Sequence, residues 1–244
     1  MTTTPSIHTT PSIAREERLI VALDVPSAAE ARALVERIGD AACFYKIGLE
    51  LFSAEGYFEL ARWLAGRGCK VFADLKLYDI PETVRRAVAN LRRCGASFLT
   101  VHGHRSVMAA AAKEKGDMKV LAVTVLTSFD ARDLEEMGAT KSVEALVLAR
   151  AQGAAETGCD GVIASGLEAA RLKAAFGERL LVVTPGIRPV GAAGGDDQKR
   201  TVDVAQAFAS GADYIVVGRP IRQAADPRSA AQAIQQTIRE VLPG

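Results

Sequence analysis

Aromatic residues are scarce: Phe, Tyr and Trp make up 5% of the 244 positions, and Trp63 is the single tryptophan. Because 49% of the chain is nonetheless apolar, chiefly through Ala and Val, the composition favours helices packed tightly around buried parallel strands over an aromatic-rich sandwich. An excess of one charge is also missing. With 30 Lys and Arg against 29 Asp and Glu, the net charge is +1, so there is no basic field to attract nucleic acid, and no charge block marks a membrane surface.

Cysteine is sparse and unpaired in pattern. Cys43, Cys69, Cys94 and Cys159 are widely spaced with no Cys-x-x-Cys, and are expected as small buried hydrophobes of a reducing, cytoplasmic compartment. No apolar run precedes Leu19: residues 1–17, rich in Thr, Ser and Pro, are expected as a flexible arm, neither secretory signal nor membrane anchor. Residues 18–244 are expected as one domain. Gly-x-Ser-x-Gly, Walker A and Rossmann glycine patterns are absent from any strand-to-helix context. His102 and His104 alternate as metal ligands could, but no Cys or third His stands near, so His102 is expected to pack and no metal site is expected.

What is present is a repeat. Short β-branched runs alternate with stretches of helical period from Leu19 almost to the C-terminus, which implies a parallel sheet. Strands are expected near 19–24, 43–47, 69–75, 97–102, 119–126, 160–164, 180–184 and 213–217. Helices are expected near 27–38, 50–66, 82–94, 105–115, 141–157, 166–175, 201–209 and 226–241. Eight of each, without a linker, in a chain near the usual size, favour a closed (β/α)8 TIM barrel over an open doubly wound sheet. Gly68, Gly95, Gly158 and Gly211 follow helical runs where a left-handed C-cap is wanted, and Ser27 and Ser142 suit N-caps. Phe58, Leu60 and Trp63 fit a helix face packed on the barrel.

Charge collects where strands end. Asp74 and Lys76, two apart, project from one face of a strand, and the segment continues through Tyr78, Asp79, Ile80, Pro81, Glu82 and Thr83, with Pro81 opening a helix. In a barrel Asp24, Lys46, Asp74 and Lys76 then share one mouth, and Thr127 and Ser128 follow strand five. A ladder of rim ion pairs is the structural alternative; buried pairs are weak sources of stability, and clustering of this kind marks sites. Strand eight ends in Val217-Gly218-Arg219, where a glycine admits close approach and an arginine can fork onto phosphate. The unpatterned stretch 185–200 adds Arg188 and Gln198, and its Gly191, Gly194 and Gly195 suit a lid closing on a phosphate.

Asp74-x-Lys76-x-x-Asp79-Ile80-Pro81-x-Thr83, preceded by Val71-Phe72, resembles the signature of the orotidine 5′-monophosphate decarboxylase family. The resemblance extends to Leu23-Asp24, Tyr45-Lys46-Ile47-Gly48, Leu126-Thr127-Ser128, Thr184-Pro185-Gly186-Ile187-Arg188, Gln198 and Val217-Gly218-Arg219. It departs at Gly103-His104-Arg105, where a small Gly-rich turn is expected. The resemblance implies cofactor-independent loss of CO2 from orotidine 5′-monophosphate to give uridine 5′-monophosphate, the last step of pyrimidine nucleotide synthesis. It implies a charge array of Lys46, Asp74, Lys76 and Asp79, with Lys76 protonating the vacated ring carbon and Asp74 near the departing carboxylate. It further implies ribose contacts from Asp24 and Lys46, pyrimidine contacts from Thr127 and Ser128, and phosphate contacts from Arg188, Gln198 and Arg219; Ile80, Pro185 and Gly218 line the substrate. Asp79 and Thr83 would cross into the partner's site of a homodimer.

Physical chemistry makes such a site intelligible. Electron density left on a ring carbon without an adjacent sink calls for a fixed positive charge, and an opposite charge within about 4–6 Å favours the ionised form of a lysine. Two alternatives remain. Mg2+-dependent sugar-phosphate decarboxylases and aldolases of the same barrel class share an Asp-x-Lys-x-x-Asp core but place an acidic metal ligand on strand two, where this chain has Lys46. A noncatalytic phosphoribosyl-ligand binding protein is the other, though a binder gains little from burying Asp beside a substrate carboxylate.

Overall fold

Strands β1 (Leu19–Ala22), β2 (Phe44–Gly48), β3 (Lys70–Leu77), β4 (Phe98–His102), β5 (Lys119–Val123), β6 (Gly161–Ile163), β7 (Leu181–Thr184) and β8 (Tyr214–Val217) pair in sequence order and in parallel. Pairing of β8 back onto β1, Leu19 opposite Ile215, closes the barrel. The structure is a computed structural model that describes residues 13–188 and 201–242. Around the barrel lie α1 (Ala28–Ile38), α2 (Leu49–Phe52), α3 (Tyr57–Gly66), α4 (Pro81–Arg92), α5 (Arg105–Glu114), α6 (Ala131–Glu136), α7 (Val143–Thr157), α8 (Gly166–Phe176), α9 (Val204–Ala209), α10 (Arg219–Arg222) and α11 (Pro227–Val241). The (β/α)8 barrel expected from the alternation is therefore what the chain forms.

Strand alternation divides the apolar residues between two compartments. Outward residues such as Val21, Ile47, Val71, Leu99 and Val120 join the helices in one cluster, while Ile20, Phe44, Phe72, Phe98, Leu121 and Tyr214 fill the barrel interior. Four of the few aromatic rings meet there edge-on: Phe44 to Phe98 at 4.9 Å, Phe98 to Tyr214 at 5.1 Å and Phe72 to Phe98 at 6.0 Å between centroids. They plug the N-terminal half and leave the opposite end for chemistry. Ile13 packs against this plug, and the turn Arg15–Glu17 is tied down by Gln235 Nε2 donating to the Glu16 carbonyl at 3.0 Å and by a Lys70–Glu17 ion pair. Most of the stretch expected as an arm, residues 1–12, lies outside the described residues.

Local signals act as expected at helix ends. Ser27 and Ser142 hydroxyls accept the backbone N–H of Glu30 and Ala145, and Gly68, Gly95, Gly158 and Gly211 have φ of 77°, 86°, 84° and 92°. Other details differ. The helix expected over 50–66 is broken into α2 and α3, because Gly56 turns left-handed (φ 86°) and brings its backbone against Ala28. Two short helices, α6 and α10, fall where loops were expected, α6 being nucleated by a reciprocal Asp130/Asp133 capping box. Phe58 is 39% exposed, so it does not share the buried face of Leu60; Trp63 is half-buried between the Arg32 and Arg67 guanidinium groups, at 5.3 and 4.8 Å. All four cysteines are free, Cys94 and Cys159 buried and Cys43 and Cys69 half-buried. Among the described residues no helix is long and apolar enough to cross a membrane.

Candidate active site

Three adjacent strands carry the charges of the mouth. Lys46, the third residue of β2, points its ammonium between two carboxylates, 2.8 Å from Asp24 Oδ1 and 3.5 Å from Asp74 Oδ2. Lys76 Nζ donates to Asp74 Oδ1 at 2.9 Å. Asp24, Lys46, Asp74 and Lys76 thus form one connected Asp-Lys-Asp-Lys chain of ion pairs. Gly48 makes room for it: a Cβ there would stand 3.0 Å from Lys46 Nζ and 3.6 Å from Asp24 Oδ1.

Asp74 and Lys76 meet as their spacing predicts, but not on a regular strand. Between Ala73 and Leu77 the register of β3 against β4 shifts, and Lys76 has φ 47°, the one positive value outside glycine among the described residues. Such a backbone is disfavoured for a residue with a Cβ and needs surrounding structure to hold it. Thr100 supplies part of that hold. Its fully buried hydroxyl accepts the Lys76 backbone N–H at 2.9 Å and donates to Asp74 Oδ1 at 2.9 Å.

Burial alone would push the Asp74 carboxyl up, but the Lys46 and Lys76 cations, with hydrogen bonds from Lys76 and Thr100, hold it below the ordinary carboxylate range. Burial likewise opposes the charge on Lys46, and the Asp74 and Asp24 carboxylates overcome it and raise its pKa. Both groups are ionised at neutral pH.

The array forms one wall of a cavity of about 390 Å³ at the C-terminal end of the strands, within the usual range for small-molecule sites. Its floor is apolar, with Ala22, Phe72, Val123, Ile163 and Val216; Thr127 and Ser128 line another side. Pro185, Gly186, Arg188, Gly218, Arg219 and Arg222 complete it, so three guanidinium groups share the lining with the Lys-Asp chain. Gly218 lies tight against the start of the barrel, where a Cβ would sit 3.4 Å from the Ala22 methyl.

Of the residues singled out from sequence, Asp24, Lys46, Asp74, Lys76, Thr127, Ser128, Pro185, Arg188, Gly218 and Arg219 line this cavity. Asp79, Ile80 and Thr83 do not: all three are exposed at the rim, and Asp79 Oδ1 accepts its neighbour's Ile80 N–H at 2.6 Å. Gln198 and the glycines 191, 194 and 195 lie outside the described residues. Two residues were missed. Thr100 stands inward between Phe98 and His102 on β4, and its signal is a lone hydroxyl in an apolar strand. Arg222 follows Arg219 by three residues on α10, a helix too short to show a period. Among the described residues its buried Nε has no hydrogen-bond partner.

His102 and His104 enclose the Tyr78 ring at centroid distances of 5.1 and 4.8 Å. Burial and the nearby Arg150 cation push both imidazoles below their ordinary pKa. Among the described residues no group of three or more His, Cys, Asp or Glu could hold a metal ion.

A (β/α)8 barrel with a part-buried chain of alternating Asp and Lys beside a guanidinium-lined pocket belongs to the class of barrel proteins built for small anionic substrates. The chain matches the model of the Orotidine 5′-phosphate decarboxylase / HUMPS family over residues 17–234, and it belongs to that family. It is 57% identical over 226 residues to an orotidine 5′-phosphate decarboxylase of Methylococcus capsulatus, covering 93% of both chains. To the protein of that name from Stenotrophomonas maltophilia it is 52% identical, covering 93% of this chain and 95% of the other. Among solved structures, the orotidine 5′-phosphate decarboxylase of Lactobacillus acidophilus superposes with a TM-score of 0.81 at 34% identity, over 91% of this chain and 99% of that one. The Pyrococcus horikoshii enzyme of that name gives 0.72 at 28% identity, over 91% and 99%.

Proposed function

We propose that the protein decarboxylates orotidine 5′-monophosphate to uridine 5′-monophosphate and CO2, in the synthesis of pyrimidine nucleotides. The single observation that carries this reading is the part-buried Lys46-Asp74-Lys76 array, joined through 3.5 and 2.9 Å contacts in the mouth of the barrel; family membership gives it the substrate. In the reaction the C6–carboxylate bond breaks, CO2 leaves, and the electron pair stays on C6. A proton from the Lys76 ammonium then forms the new C–H bond, and solvent returns a proton to Lys76. A carbanion on that ring carbon has no adjacent sink, so a cation held in place before the reaction lowers the barrier most.

Asp74 carries a fixed negative charge between two ammonium groups and faces the departing carboxylate. Asp24 and Lys46 bind the ribose hydroxyls, and Thr127 and Ser128 the pyrimidine. Arg188, Arg219 and Gln198 grip the phosphate, with Pro185 and Gly218 shaping the wall beside it. Binding energy from that remote group offsets the cost of assembling the site.

Asp79 and Thr83 act in the second subunit of a homodimer. Their exposure beside Tyr78 (60% exposed) and Ile80 (67% exposed) supports this, since apolar side chains clustered at a rim suit a protein interface. Four free thiols suit a cytoplasmic site of action. The metal-dependent alternative is disfavoured by Lys46, whose ammonium already occupies the space between the two carboxylates. The test is the loss of orotidylate absorbance on mixing with the purified protein, with and without a chelator. Chelator-resistant conversion to uridine 5′-monophosphate is the expected result, and absence of conversion overturns the reading.

A further inference from the structure

Lys76 holds two tasks that conflict. Its ammonium must reach the cavity from the same short stretch that carries Asp74, yet its backbone sits at φ 47° within a register shift of β3. Nothing in its own sequence neighbourhood favours that conformation: it is neither glycine nor Asn, and β-bonding to β4 is interrupted there. A backbone N–H freed from its ladder and turned inward needs a partner. The partner is a side chain from the next strand. Thr100, fully buried on β4, accepts the Lys76 N–H at 2.9 Å.

Accepting that bond fixes what the hydroxyl can do with its own proton. It points to Asp74 Oδ1 at 2.9 Å, the same oxygen that accepts from Lys76 Nζ. One hydroxyl is thereby bonded to the backbone of one charged residue and to the carboxylate of the other. The remaining oxygen of Asp74 is left facing Lys46 at 3.5 Å. Losing the hydroxyl strands a buried N–H and frees the Asp74 carboxylate to rotate, and misplacement of reacting groups by an ångström is costly in rate.

We propose that Thr100 is a positioning residue for the reaction: it sets the backbone of Lys76 and the rotamer of Asp74 without touching the substrate. This rests on the reading of the charged array as the reaction centre. Thr100 acts on the placement of the charges during the chemical step rather than on the phosphate wall, so its effect falls on kcat and not on nucleotide affinity.

The experiment compares Thr100→Val, which keeps the β-branched shape, with Thr100→Ser, which keeps the hydroxyl. Three quantities are read: kcat with orotidine 5′-monophosphate, the Kd of uridine 5′-monophosphate, and amide hydrogen exchange at Lys76. In Thr100→Val, kcat is expected to fall roughly tenfold or more, with product affinity within about threefold of the starting protein. Lys76 amide exchange accelerates in the same variant. Thr100→Ser restores both kcat and amide protection. The proposal is overturned if Thr100→Val keeps kcat within twofold, if product affinity falls in parallel with kcat, or if Thr100→Ser behaves like Thr100→Val. Should Thr100→Val fail to fold, Thr100→Ser against Thr100→Ala decides by the same criteria. Amide exchange needs no turnover: an unaltered protein that protects the Lys76 amide but does not convert the substrate refutes the functional reading alone, while an unprotected amide in a converting enzyme refutes the role of Thr100 alone.

Discussion

Lys76 Nζ donates to Asp74 Oδ1 at 2.9 Å across a shift in strand register, from a backbone in the left-handed region. The contact is not one that a regular strand would give. Residues two apart on a regular strand share a face, but their side chains run parallel; here the irregularity folds the lysine back onto the carboxylate. Asp74 then serves two ammonium groups at once.

Asp74→Asn removes the charge that both lysines share. Lys46 retains Asp24, but Lys76 loses the one carboxylate it pairs with among the described residues. The expected loss of stability approaches the roughly 3–5 kcal/mol seen when one member of a buried pair is removed, and urea denaturation at neutral pH measures it. Turnover falls as well.

The guanidinium wall gives a separable prediction. Arg219→Ala is expected to lower kcat/KM for orotidine 5′-monophosphate strongly, by the roughly 2–5 kcal/mol lost with a charged contact, while leaving turnover of the truncated nucleoside unchanged. Phosphite dianion added to the nucleoside raises its turnover in the unaltered protein and less so in the variant. Arg222→Ala gives a smaller loss of the same kind. If Arg219→Ala lowers nucleoside turnover equally, the arginine acts on the fold rather than on the phosphate.

The array also fixes a pH window. Asp74 has a lowered pKa, so its contribution to stability is present above its unfolded value of 3.8 and disappears as pH falls through the lower folded value. Lys46 has a raised pKa, so its contribution is complete below its unfolded value of 10.5 and disappears as pH rises through the higher folded value. Between about pH 5 and pH 9 neither group titrates. Stability owed to the array is expected to be flat across that window, and thermal melts at several pH values check it. A step near neutrality that persists in His102→Gln and His104→Gln variants would contradict the assignment.

Sharing of sites between subunits is tested by mixing. A preparation of Lys76→Ala and one of Asp79→Ala are each inactive or nearly so. In a two-fold symmetric dimer with crossed residues, hybrids contain one site with both changes and one with neither. Dissociation and reassociation of the mixture therefore recovers activity, whereas sites confined to one subunit recover none. Sedimentation confirms that the hybrids are dimers.

Much of this molecule was legible in its sequence, and for identifiable reasons. Eight strands show because each is a short, largely apolar run between stretches of helical period, four of them closed at once by Gly48, Gly103, Pro185 or Gly218, and Asp24, Lys46, Asp74 and Lys76 show because charge at the end of such a run is conspicuous. The break at Gly56 was hidden because helical period continues on both sides of it, and only the approach to Ala28 explains the turn. Helices α6 and α10 are shorter than two full turns, below the length at which a period declares itself, and Arg222 was lost with α10. The left-handed Lys76 is a tertiary effect: no local signal asks for it, and Thr100, 24 residues away, satisfies it. Asp79 and Thr83 stand exposed at the rim and do not line the cavity, so the crossing proposed for them is not legible in a single chain and rests on the resemblance and on that exposure.

The central claim is that Lys76 delivers the proton that replaces CO2, and the most direct measurement is the turnover of Lys76→Ala alongside its affinity for uridine 5′-monophosphate. Loss of conversion by about 10²–10⁴-fold or more, the usual range for removing a positioned proton donor, with product binding still measurable, is the predicted result. Near-normal conversion by a folded Lys76→Ala protein would contradict it.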